Sequence, residues 1–110
     1  MENLVERYRE FVSSKQALAS DEALRSRLDR YHAGEDLAWR EISASYLKPV
    51  FEFVESFPSL PRNLNLLNVV EEANVGLVDA IKTFSGTTRD EFWQHAQQTI
   101  LAWVNSTDDL

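Results

Sequence analysis

The sequence predicts an all-α domain, a compact bundle of about five helices. Gly and Pro are scarce, with three of each in 110 residues. Apolar residues recur at three- and four-residue spacing along most of the chain, and clusters of polar residues with capping chemistry punctuate those runs. At this length one domain is the default, with enough chain to bury one core.

The first helix is expected over about residues 2–18, where Leu4, Val5, Tyr8, Phe11, Val12 and Leu18 supply an apolar face. Ser20, Asp21 and Glu22 offer capping side chains for a second helix that runs to about His32, and Gly34 can supply the left-handed residue that closes it. Residues 1–33 thus read as a helical N-terminal extension of the same compact domain, whose body is 34–105. Glu35 and Asp36 then place negative charge at the start of a third helix, the end that favours it. Its stripe is Ile42, Tyr46, Val50, Phe53 and Phe57, widened by Leu47, Phe51 and Val54. Pro49 removes a backbone hydrogen bond, so a kink is expected near Ser45.

Pro58, Ser59, Leu60, Pro61, Arg62 and Asn63 break the pattern and form the clearest loop. The fourth helix follows over 64–84, with Leu67, Val70, Leu77, Val78, Ile81 and Phe84 as its stripe. Gly76 inside it costs about 1 kcal/mol relative to Ala, and a close helix crossing over its bare backbone explains its presence. Ser85, Gly86 and Thr87 end this helix. Thr88 and Glu91 then form a capping box for a fifth, on which Phe92, Ala96, Thr99, Ile100 and Trp103 face one side. Residues 106–110 read as a frayed polar tail.

Composition narrows the function classes. No apolar run approaches the about 20 residues of a membrane span, and the N-terminus lacks the basic-then-apolar order of a signal peptide. A cytoplasmic protein is expected, in line with the lack of cysteine. The formal charge of −7 repels phosphate and disfavours nucleic acid as a partner. Catalysis finds little support. His32 and His95 stand far apart without cysteine or carboxylate spacing for zinc, Glu71 and Glu72 point about 100° apart on a helix, and neither a Glu-x-x-His pair nor a Gly-rich phosphate loop occurs. The expectation is a non-enzyme without metal or cofactor.

Asn68, Glu71, Glu72 and Asn74 are surplus to the packing stripe of the fourth helix. Such groups are commonly no more than a solvated face. Two adjacent carboxylates flanked by two amides nonetheless exceed what packing needs and invite a partner.

The run Asn68, Val69, Val70, Glu71, Glu72, Ala73, Asn74, Val75, Gly76, Leu77 resembles the second conserved region of bacterial RNA polymerase sigma factors. The family pattern there is Asp-Leu-Ile-Gln-Glu-Gly-Asn-hydrophobic-Gly-Leu. The upstream run at 33–54, AGEDLAWREISASYLKPVFEFV, is similar to the family's preceding helix. The resemblance implies a sigma region 2-like helical domain in which Asn68, Glu71, Glu72 and Asn74 bind the coiled coil of the largest subunit of core RNA polymerase. Asn68, Glu71 and Ala73 stand where the family has Asp, Gln and Gly.

In the family the next helix opens promoter DNA, through aromatic residues that capture bases and basic residues that hold phosphates. Here the family's aromatic triplet is replaced by Gln97, Gln98 and Thr99, and its arginine by Leu101. Trp93, His95, Gln97 and Gln98 are the remaining candidates for DNA contact. From residue 88 onward the one cation, Arg89, stands against four carboxylates, so promoter DNA is a doubtful partner for this chain alone. Two readings follow: a sigma-like initiation module, or a mimic without DNA binding that competes for polymerase or for an anti-sigma factor.

Overall fold

Four polar side chains start helices by the same chemistry, each accepting an otherwise orphaned N–H of the first turn. Asn3 accepts from Val5 and Glu6 at 3.0 and 3.3 Å and opens α1, Leu4–Ser13. Ser20 accepts from Ala23 at 3.0 Å and opens α2, Asp21–His32. Asn65 accepts from Asn68 at 2.9 Å and opens α5, Leu66–Thr83. Thr88 accepts from Glu91 N–H at 3.1 Å while the Glu91 carboxylate takes Thr88 N–H at 3.0 Å, the reciprocal box expected at the start of α6, Arg89–Ser106. The structure, a computed structural model, describes residues 3–61 and 64–106, the last by its backbone alone. Within them lie six helices and no strand.

The sixth helix corrects the sequence reading, which counts about five. The expected third helix is interrupted at Tyr46 (φ −108°, ψ 6°) and divides into α3, Leu37–Ser45, and α4, Leu47–Glu55. Pro49 is the cause. Its ring would clash with the carbonyl of Ser45 and it has no N–H to give that group, but as third residue of a new helix it sits in the first turn, where no N–H is needed. α1 is also shorter than expected, since the hydroxyls of Ser13 and Ser14 bond back to the carbonyls of Glu10 and Phe11 and the chain leaves the helix there. Gly34 adopts φ 99°, the left-handed conformation expected after α2. Ser106 is the last residue of α6 rather than part of a frayed tail; residues 107–110, and Arg62 and Asn63 of the expected loop, lie outside the described residues.

α5 and α6 form the principal packed pair, with α4 and α3 against α5, α1 against α4, and α2 against α3. The buried residues of α5 are Val69, Val70, Ala73, Gly76, Leu77, Ala80 and Ile81, a wider face than the predicted stripe; Leu67 and Val78 are only half-buried. Facing it from α6 are Phe92, Ala96, Ile100 and Val104, one helical turn apart. Val12, Leu24 and Leu28 bring α1 and α2 into the same core, and the Tyr8 ring lies 5.3 Å from that of Phe51.

Gly76 sits where α5 and α6 are closest. A Cβ there would lie 3.0 Å from Ile100 Cα and 3.3 Å from Trp103 Cβ, so the crossing predicted from the glycine is present. Gly76→Ala gains about 1 kcal/mol in helix propensity but must push one backbone off another, which typically costs more, about 1–3 kcal/mol. We expect a net loss of stability and a lower urea midpoint; an unchanged or higher midpoint would show that the crossing is loose.

Candidate functional site

At about 100° per residue, the buried face of α5 leaves an outward stripe of Asn68, Glu71, Val75 and Lys82. Asn68 and Glu71 are exposed, and between them Val75 keeps 49% of its surface in solvent. Glu72 and Asn74, two residues apart, stand on opposite flanks of the helix, separated by about 160°. Both are half-buried, and the Asn74 side-chain oxygen is shut away from solvent with no hydrogen-bond donor among the described residues. The structure therefore brings Asn68 and Glu71 together around Val75, sets Glu72 at the α6 edge, and holds Asn74 apart from them.

Along the α5–α6 seam this face is continued by Asp79, Thr83 and Trp103, which the sequence reading did not propose as site residues, and by His95, which it proposed for DNA contact. Trp103 Nε1–H donates to Asp79 Oδ2 at 3.1 Å, and Thr83 Oγ1 shares a 2.7 Å hydrogen bond with His95 Nε2. Trp103 is 38% exposed, whereas its spacing with Phe92, Ala96 and Ile100 placed it on the packing side. The missed signals were Val75, an apolar residue off the apolar stripe at helical spacing from Glu71, and Asp79, one turn further on.

The four DNA candidates do not share one surface. Trp93 and Gln97 line a cleft of about 350 Å³ with Pro49, Glu52 and Phe53. His95 and Gln98 line another, about 480 Å³, with Asp79, Thr99, Ala102 and Trp103. Each cleft contains a carboxylate and neither contains a lysine or arginine. Trp93 is half-buried, its ring stacked on Tyr46 (5.7 Å, 19°) and edge-on to Phe53. Trp93 also lines a cleft of about 410 Å³ with Arg89, Asp21 and Asp90, where the Arg89 guanidinium donates to Asp21 Oδ1 at 3.1 Å and to the Leu18 carbonyl at 2.9 Å.

The resolved pKa shifts belong to the framework. Hydrogen bonds from the Thr87 and Thr88 N–H groups and hydroxyls lower Glu91, and those from Arg89 lower Asp21. Burial pushes the Tyr46 hydroxyl up to about 12. Among the described residues no group of three His, Asp or Glu side chains could hold a metal ion, and no helix is long and apolar enough to cross a membrane. Compared with known proteins, the chain matches no family model and no curated protein.

Glu91 yields a pH prediction. Its folded pKa is depressed, so its ionised form stabilises the fold above the unfolded value of about 4.3 and that contribution drains away as pH falls through the lowered value. Glu91→Gln keeps the capping geometry but removes the charge. In urea titrations the variant should be less stable than wild type at neutral pH, and the gap should close on acidification below about pH 4. A gap independent of pH would mean that the charge is not what holds the box.

Proposed function

We propose that this protein is a protein-docking module of the sigma region 2 kind, which engages a cation-bearing coiled coil, that of the largest subunit of core RNA polymerase, through the outer face of α5. The observation that carries the reading is the exposed stripe of Asn68, Glu71 and Val75 with Glu72 at its edge. It joins an apolar contact to hydrogen-bonding and charged groups on a helix whose back is anchored in the core. The sequence run that resembles the sigma pattern, 68–77, contains that whole stripe. Asn74, with its acceptor turned from solvent, belongs to the framework of the helix rather than to the contact.

One further observation favours the form of this reading in which DNA is not touched. The two clefts that hold the candidates on α6 each contain a carboxylate from a neighbouring helix, Asp79 of α5 and Glu52 of α4, and Arg89 of α6 is spent on Asp21 and Leu18. A surface of that sign gains nothing from counterion release on DNA. The module then acts as a regulator, competing for polymerase or for an anti-sigma factor, with any DNA contact made elsewhere in the assembly.

Immobilised core polymerase, or its isolated coiled coil, should capture the domain, and Glu71→Lys should weaken capture by about tenfold or more, since reversing an exposed charge opposes like to like. Equal retention of wild type and variant would remove the α5 face from the interaction. In a polarisation assay at physiological salt, single-stranded promoter DNA should show no binding; micromolar, sequence-dependent binding would exclude the regulator form.

A further inference from the structure

Beyond the Thr83 end of the α5–α6 seam, α2 and the 84–88 loop enclose a cleft of about 540 Å³ whose charge is opposite to that of the chain as a whole. Arg25, Asp29, His32, Lys82, Ser85 and Gly86 line it. Its two permanent cations are not spent. Neither Arg25 nor Lys82 forms an ion pair or hydrogen bond with any described residue, although Arg25 and Asp29 are four apart on one helix; Arg25 makes itself felt only in the lowered pKa of Asp21. This contrasts with Arg9, Arg27, Arg30 and Arg89, all of which are paired with carboxylates.

The backbone of the loop adds donors. Thr87 and Thr88 give their N–H groups to Glu91, but the N–H groups of Ser85 and Gly86 reach no acceptor among the described residues. The loop that carries them is held in place. Gly86 lies so close over the Phe84 ring that a Cβ would come within 2.6 Å of it, and Glu91 ties the next two residues to α6. Glu91 itself shows what this backbone prefers, since it accepts from two amides and two hydroxyls there and its pKa falls accordingly. An anion in the cleft would face the carbonyl ends of α2 and α5. Those ends are blunted by Ala33, Gly34 and Phe84 N–H groups and the Thr83 hydroxyl, and the two full positive charges of Arg25 and Lys82 exceed the one negative charge of Asp29, which also lines the cleft.

We propose that this cleft is a binding site for a small phosphate-bearing ligand, held by the Arg25 guanidinium and the Lys82 ammonium with the Ser85 and Gly86 amides as neutral donors. His32, which also lines the cleft, adds a third cationic donor when protonated. The volume leaves room for a phosphate ester as well as the free ion.

The test is an amide NMR titration of the whole chain with inorganic phosphate and, separately, phosphoserine, each against sodium chloride of equal ionic strength. Saturable shifts should appear at Ser85 and Gly86 with both probes and tighter with the ester, while chloride leaves them in place. Arg25→Gln with Lys82→Gln, two exposed positions whose loss should not alter the melting temperature, should weaken binding by about tenfold or more. Shifts that never saturate, that chloride reproduces, or that survive the double substitution would overturn the site. The titration is read without polymerase, so its outcome is independent of capture; Lys82 shares the outward stripe of α5 but lies about three turns beyond Glu71.

Discussion

The closeness of α5 to α6 at Gly76 is the constraint from which the other features follow. With Ile100 Cα and Trp103 Cβ where a side chain of residue 76 would be, the two helices meet backbone to backbone, and small residues above and below, Ala73, Ala80 and Ala96, keep them together along the seam. Rotation of α5 about its axis is thereby fixed. Val69, Leu77 and Ile81 must point into the core, and Asn68, Glu71 and Val75 must point away from it. The Asp79–Trp103 and Thr83–His95 hydrogen bonds then close the solvent edge of the same seam. A helix held this firmly can present an external face without reorganising, which lowers the entropic cost of any association made there.

Charge is distributed as unevenly as packing. Arg9 with Glu55 and Arg89 with Asp21 join elements distant in sequence, Arg30 with Glu35 and Glu41 joins the neighbouring α2 and α3, and each uses a cation internally. Exposed pairs of this kind contribute little stability apiece, about 0–1 kcal/mol, so their main effect is on the field the molecule projects. With most arginines already neutralised, the carboxylates left over on a chain of −7 dominate the surface of α5 and α6. The cleft between α2 and the 84–88 loop is the exception, where Arg25 and Lys82 form no ion pair with any described residue although Asp29 lines the same cleft.

The helical class, the caps at Ser20 and Thr88, the left-handed Gly34 and the purpose of Gly76 were all legible in the sequence, because each follows from a local rule that tertiary contacts reinforce. The split at Tyr46 was half legible. Pro49 announces a disturbance, but whether a helix bends or restarts depends on whether Tyr46 gains more from turning inward, where its ring packs at 5.0 Å from Phe92 and stacks on Trp93, than the lost turn costs. The site was less legible still. Sequence places Glu72 and Asn74 beside Glu71, yet a helix separates neighbours in sequence around its circumference, and only the position of α6 decides which flank remains open. Trp103 had the period of a core residue and instead lies at the rim, because Gly76 leaves room for its Cβ but not for its ring.

The half-buried state of Trp93 bears on what α6 can do. Its ring is stacked on Tyr46 and edge-on to Phe53, and such aromatic contacts are each worth about 0.5–1.5 kcal/mol beyond the area they bury. To stack on a base, the indole would have to surrender both, and Tyr46, which carries the break between α3 and α4, would lose a packing partner. Stacking on a base returns about 1–3 kcal/mol, a similar sum, and the carboxylates nearby then subtract from it. Trp93 is therefore more valuable to this fold as the cover over Tyr46 than as a hand held out to nucleic acid. That balance favours the face of α5 for the proposed docking, since its exposed groups would give up nothing in the core to a partner.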